Sequence, residues 1–220
     1  MSGAAFIAYP IANGLLADWS DSPFPSRLLA WDAAGLTLSE GSTYFGFVHE
    51  RSANLQTTHG SFELREGMYF SITGPAEVSG SGRGVVIERC ETQGFLHIGG
   101  PVEEKGRLRY IDGCTDSLLL PPIIMGDACL NLLHIPPQTA QSQHTHPSLR
   151  AGIIASGQGR CVTPEGEHLL ERGTIFHIPA HGQHSFHTDD EALRVIAFHP
   201  DSDFGPTHET HPMVNRTILS

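Results

Sequence analysis

The feature that most limits what this chain can become is a repeat that survives a shift of 106 positions. Gly46 falls on Gly152, Gly60 on Gly166 and Gly67 on Gly173. Between them Phe47 falls on Ile153, Val48 on Ile154, Leu64 on Leu170, Phe70 on Phe176 and Ile72 on Ile178. Glycines keeping their places at turns, with apolar residues keeping theirs between, describe two copies of one unit. That unit is β. Runs such as 43–48, 61–64, 68–72 and 84–88 are short, β-prone and punctuated by Gly, Pro, Asn or Ser, as a sandwich or barrel requires. The 24 glycines and 15 prolines favour the same all-β architecture over helices.

The repeat divides the chain into an N-terminal extension (1–30), a first unit (31–110), a second unit (111–204) and a tail (205–220) that carries His208 and His211. Residues 11–17 suggest a short turn or helix within the extension. The apolar, proline-broken stretch 118–126 reads as an extended connector, buried between the halves or against another subunit.

A formal charge of −11 with 13 Lys and Arg weighs against nucleic acid and anionic membrane surfaces. No run approaches the roughly 18 apolar residues of a membrane span. Cys90, Cys114, Cys129 and Cys161 form no C-x-x-C pair, so they are expected to be reduced thiols of a cytoplasmic protein. Histidine is the outlier. Of 14, eleven fall from His134 onward, which directs attention to the second unit.

There, His144 and His146 are two apart. If they share a strand they point to one face, and His184 from a second strand would complete a set of three nitrogens. An H-x-H pair alone is weak, since two ordinary strand histidines look the same. The surrounding residues strengthen it. Gln138, His144, His146, Arg150 and Gly157, followed by Gly173, Pro179, His181, His184 and Thr188, resemble the two motifs of the cupin superfamily, G-x5-H-x-H-x3,4-E-x6-G and G-x5-P-x-G-x2-H-x3-N. The spacing is kept throughout. The resemblance covers about 125–200 directly and 35–100 through the repeat.

It implies a bicupin of two tandem double-stranded β-helix (jelly-roll) barrels that commonly dimerises. It also implies metal ligation by His144, His146 and His184. The first unit offers Leu38, Glu40, Tyr44 and Val78 at the matching positions, which cannot make a transition-metal site, so that copy is degenerate. Three departures from the motifs are Gln138, His181 and Thr188, which stand where the family has Gly, Gly and Asn.

The fourth departure matters most, because Arg150 stands at the family's Glu ligand. A guanidinium cannot ligate a metal. Either Arg150 anchors a substrate anion beside the metal, or it pairs internally with an acid such as Glu165 or Glu171, or it swings to the rim. His187, three past His184, is a candidate to orient a ligand or relay a proton, against a plainer role as a polar rim residue. Three imidazoles suit one divalent transition metal such as Fe, Zn or Ni and leave coordination positions open. The expected functions are a three-His, dioxygenase-like metalloenzyme acting on a small anionic molecule, or a non-catalytic cupin that senses or stores a metal or small ligand. A purely structural protein is the third class.

Overall fold

The computed structural model describes residues 4–213 and 216–218. The named elements are strands apart from the single 3-10 turn Ile111–Gly113. No helix of the described residues is long and apolar enough to cross a membrane.

Two large sheets dominate. One runs, in spatial order, Ile7–Tyr9, Ile175–Ile178, Arg150–Ser156, Leu193–His199, Cys129–Ile135, Thr115–Leu120 and Leu108–Arg109. The other runs His97–Gly99, Tyr69–Thr73, Thr43–Glu50, Arg83–Arg89, Ser26–Asp32 and Gly14–Trp19. Each half adds a smaller sheet: Leu36–Leu38, Ala76–Ser79, Ser52–Thr57 and Gly60–Arg65 in the first, and Gly166–Glu171, Gln158–Thr163 and Ser185–His187 in the second.

The repeat in the sequence has a structural counterpart. Strands Ser52–Thr57 and Gly60–Arg65 recur, at the same shift, as Gln158–Thr163 and Gly166–Glu171. The matched glycine and phenylalanine are cross-strand partners in both halves, Gly46 with Phe70 and Gly152 with Phe176. Gly46 is glycine because a Cβ there would lie 2.1 Å from the Phe70 ring.

Alternation along the strands feeds three cores. Tyr44 and Val48 pack inside the first half with Trp31, Leu55, Phe70 and Val78. Val195 packs inside the second half with Ile154, Phe176, Ile178 and Phe186. Phe45, Phe47, Val85 and Ile87 turn the other way, against Leu130, Leu132, Ile153 and Phe198. The Phe45 and Phe198 rings meet there at 5.1 Å. Each such buried side chain contributes about 1.5–3 kcal/mol, so the halves are joined by a shared apolar core.

Three expectations are refined. Residues 11–17 make neither turn nor helix: Gly14–Trp19 is a strand paired with Ser26–Asp32. The extension also does more than precede the first unit, since Ile7–Tyr9 pairs with Ile175–Ile178 of the second half. In the connector, Leu119 and Leu120 enter the shared core, whereas Ile123, Ile124 and Met125 are exposed.

Candidate metal centre

His144 and His146 lie in an extended segment before strand Arg150–Ser156, not on a regular strand as the two-residue spacing suggests. That segment is nevertheless fixed by backbone pairing to the one that carries His184. The His144 N–H donates to the His184 carbonyl and the His184 N–H to the His144 carbonyl, both at 3.0 Å, and the His181 N–H donates to the His146 carbonyl at 2.8 Å. Two distant stretches are thereby held together, and three rings converge. Ring centroids lie 5.0 Å apart for His144 and His146, 4.5 Å for His144 and His184, and 5.2 Å for His146 and His184. One ligand atom from each lies within 4.8 Å of the other two.

The donor set fits a metal. Nδ1 of His144 meets the Ser142 carbonyl at 2.8 Å and Nδ1 of His184 meets the Gly182 carbonyl at 2.9 Å. A carbonyl only accepts, so Nδ1 carries the proton and the Nε2 lone pair is left free in each ring. Burial holds His146 down at about 3, with the Arg150 guanidinium and the other two imidazoles adding to it. Burial also holds His184 at about 4, against the Gly182 bond. Both are neutral at pH 7, as ligation requires. Bonds of about 2.0–2.1 Å to one ion need nitrogens roughly 3.0–3.4 Å apart, so a bound ion would draw these rings in from separations of up to 4.8 Å. Among the described residues this is the one such group of His, Cys, Asp and Glu side chains. At the matching positions of the first half, Leu38, Tyr44 and Val78 are buried apolar core and Glu40 is exposed.

The rings open onto a cavity of about 280 Å³ that Arg150, Tyr110, Asp116, Asn131, Phe176 and His199 also line. Arg150 does enter the cavity, with its side chain 12% exposed. Its internal partner is neither Glu165 nor Glu171. Nη1 donates to Ser148 Oγ at 2.7 Å and the Leu149 carbonyl at 2.9 Å, and lies 3.8 Å from Asp201. Ser148 Oγ in turn donates to Asp201. Asp201 follows the last strand and has no place in either motif, which is why spacing did not point to it.

His187 is placed elsewhere. His184 and Phe186 line the cavity, so three residues past His184 is the opposite face. There His187 Nε2 meets Ser185 Oγ at 3.0 Å. His177, of opposite parity to His184, lies off the cavity and is buried under the N-terminal strand. Its Nδ1 meets the Tyr9 hydroxyl at 2.9 Å, Trp19 stands edge-on at 4.8 Å, and burial holds it down at about 4. His208 and His211 are exposed. The four cysteines are free and buried, and burial pushes Cys161 up to about 12.

Sequence reasoning missed Tyr110, Asp116, Asn131 and His199 of the lining. Asn131 Nδ2 donates to Asp116 Oδ1 at 2.9 Å, and burial raises the Asp116 carboxyl, with that bond opposing. Burial likewise raises the Tyr110 phenol. Tyr110 and Asp116 come from the segment that links the halves, so the link forms one wall of the cavity.

The motif departures find physical counterparts. Gln138 and His181, at the family's glycine positions, take left-handed backbone with φ of 59° and 60°. Thr188, at the Asn position, ties the same loop: its Oγ1 donates to the Pro136 carbonyl at 2.5 Å and accepts from the Thr139 N–H at 3.1 Å.

Comparison with known proteins agrees with this geometry. Residues 131–199 match the family model of the cupin domain. Among curated proteins, none matches the chain by sequence. Solved structures match over nearly all of it. A putative glyoxylate-induced protein from Pseudomonas aeruginosa is 12% identical with a TM-score of 0.67, over 94% of this chain and 92% of that one. A cupin 2 conserved barrel domain protein from Leptotrichia buccalis is 11% identical with a TM-score of 0.61, over 90% of both chains. Oxalate decarboxylase from Bacillus subtilis is 10% identical with a TM-score of 0.56, over 93% of this chain and 79% of that one. Residues 131–199 thus match the cupin domain, and the chain shares over 90% of its length the fold of a cupin 2 conserved barrel domain protein.

Proposed function

We propose that the chain is a bicupin, two tandem jelly-roll barrels, whose second barrel holds one divalent transition metal (Fe, Zn or Ni) on His144, His146 and His184. On this reading it is a mononuclear metalloenzyme of the three-His, dioxygenase-like kind acting on a small anionic organic molecule. The observation that carries the reading is the convergence of three imidazoles, two of them with Nδ1 committed to a carbonyl, on a cavity that also contains a guanidinium. Bound there, the metal would supply Lewis-acid or redox chemistry at its open positions.

The chain's own residues do the rest. Arg150, braced by Ser148 and Asp201, is the anion anchor. Phe176, Phe186 and Val195 keep the walls apolar, which strengthens every charge interaction inside. Asp116, a carboxyl raised by burial, is a group able to take or give a proton there. The Bacillus subtilis oxalate decarboxylase, which has Mn(II) centres, supports a metal in this fold. The exposed Phe95, Ile123, Ile124 and Met125 support a homodimer, the four free cysteines support a cytoplasmic protein, and the acidic charge weighs against nucleic-acid partners.

A second reading, a non-catalytic sensor or binding protein, is favoured by Arg150 standing where a carboxylate ligand is usual and by the apolar filling of the first half. Metal analysis of untagged protein, followed by oxygen-uptake assays on small organic acids, separates the two: a stoichiometric metal without turnover selects the sensor. His146→Ala is expected to remove most metal, and Glu40→Ala none. Equal loss from both would show that the halves share a site and would refute the assignment.

A further inference from the structure

Two polar atoms of residues lining this cavity are buried without a hydrogen-bond partner: Arg150 Nε and Asn131 Oδ1. The first can only donate and the second can only accept. Each such atom has given up its hydrogen bond to water and gained none in return. Two of them on one cavity are explained together if a ligand meets both.

The sheet sets their separation. Asn131, Ala197, Gly152 and Phe176 form one cross-strand row. Arg150 lies two residues before Gly152 on the same strand, and so on the same face. Asn131 and Arg150 are thus two strands and two residues apart, about 12 Å between Cα atoms. Between them lies Ala197, whose methyl group leaves the floor of the cavity open. The Asn131 amide is oriented by its bond to Asp116 at 2.9 Å, which takes Nδ2 and leaves Oδ1 without a partner. Arg150 is oriented by the bonds of Nη1 to Ser148 and Leu149, which leave Nε uncommitted. The cavity, about 280 Å³, is close to twice the roughly 150 Å³ that accommodates benzene.

We infer, resting on the metal-centre reading above, that the ligand of this cavity is bifunctional: an anionic group, such as a carboxylate, for Arg150, and several atoms away a hydrogen-bond donor, a hydroxyl or amine, for Asn131 Oδ1. Asn131 is then the residue that sets specificity. A plain fatty acid of the same length leaves its acceptor unmet, and a dicarboxylate presents a second acceptor to it.

The test uses matched probes whose donor is too remote to chelate a metal together with the carboxylate: 4-hydroxybutyrate against butyrate, and 5-aminovalerate against valerate, titrated calorimetrically into zinc-loaded full-length protein. The hydroxy and amino members are expected to bind about tenfold tighter than their partners. Asn131→Leu is expected to erase that difference while butyrate affinity and zinc uptake stay as they were. Asn131→Ser provides the same comparison should the leucine variant fold poorly. Arg150→Met is expected to weaken all four probes. Equal binding within each pair by the wild-type protein, or discrimination that survives both Asn131 variants, would overturn the inference. The same titrations on zinc-free protein keep it separable from the metal reading. Discrimination there, in protein that takes up no zinc, overturns the metal centre and supports the bifunctional ligand.

Discussion

His181 shows how a single position carries both the resemblance and the departure from it. It is exposed and left-handed, with φ of 60°, a region that costs an L-residue about 1–2 kcal/mol and glycine almost nothing. Its backbone N–H is held by the His146 carbonyl, so the conformation is imposed by the pairing that positions the imidazoles. His181→Gly is therefore expected to raise stability by about 0.5–1 kcal/mol in urea unfolding and to leave metal uptake unchanged. A loss of stability would show that the side chain has a role of its own. Gln138, with φ of 59°, should respond in the same direction. That glycines belong at these two places was legible in the motifs. The reason became visible only in the backbone.

At the scale of elements, the N-terminal strand departs furthest from what the sequence suggests. Phe6 is 2% exposed and stacks on Phe176 with centroids 5.7 Å apart, so the start of the chain completes the core of the second half. Phe6→Ala should cost about 3–5 kcal/mol, read as a lower urea midpoint with an unchanged slope. A cost under about 1 kcal/mol would mean that this strand is a loose attachment. Nothing local announces the strand, because Ile7–Tyr9 is three residues long, too short for a period to show. The same limit hid Asn131 and Asp116. They sit on ordinary strands with no motif spacing, and it is the lateral order of the sheet that brings them beside residues 144–184. His187 failed for the opposite reason: its spacing was visible, but three steps along a strand reverse the face.

For the molecule as a whole, buried neutral histidines make stability depend on pH. His177 is 9% exposed, and burial lowers it from 6.5 to about 4. Below pH 6.5 the unfolded chain takes a proton at this ring that the folded one refuses. Stability is therefore complete above about 6.5, falls as pH drops toward 4 and then levels, with a loss on the order of 3 kcal/mol from this ring. Denaturant titrations across that window should show a shallower fall in His177→Gln than in the wild type. Parallel curves would place the titration elsewhere. At this scale the sequence was most informative. Repeated glycines and matched apolar residues marked the strand runs and their recurrence in each half, since turns and burial are local constraints. The mutual packing of the halves rests on which face of Thr43–Glu50 or Leu193–His199 turns outward, and both of those runs are too uniformly apolar to reveal it.

The pairing of Ile7–Tyr9 with Ile175–Ile178, together with the wall that Tyr110 and Asp116 give to the histidine cavity, interlaces the two halves. A gene fragment beginning after the link would encode a histidine centre with one side open to water and its edge strand missing.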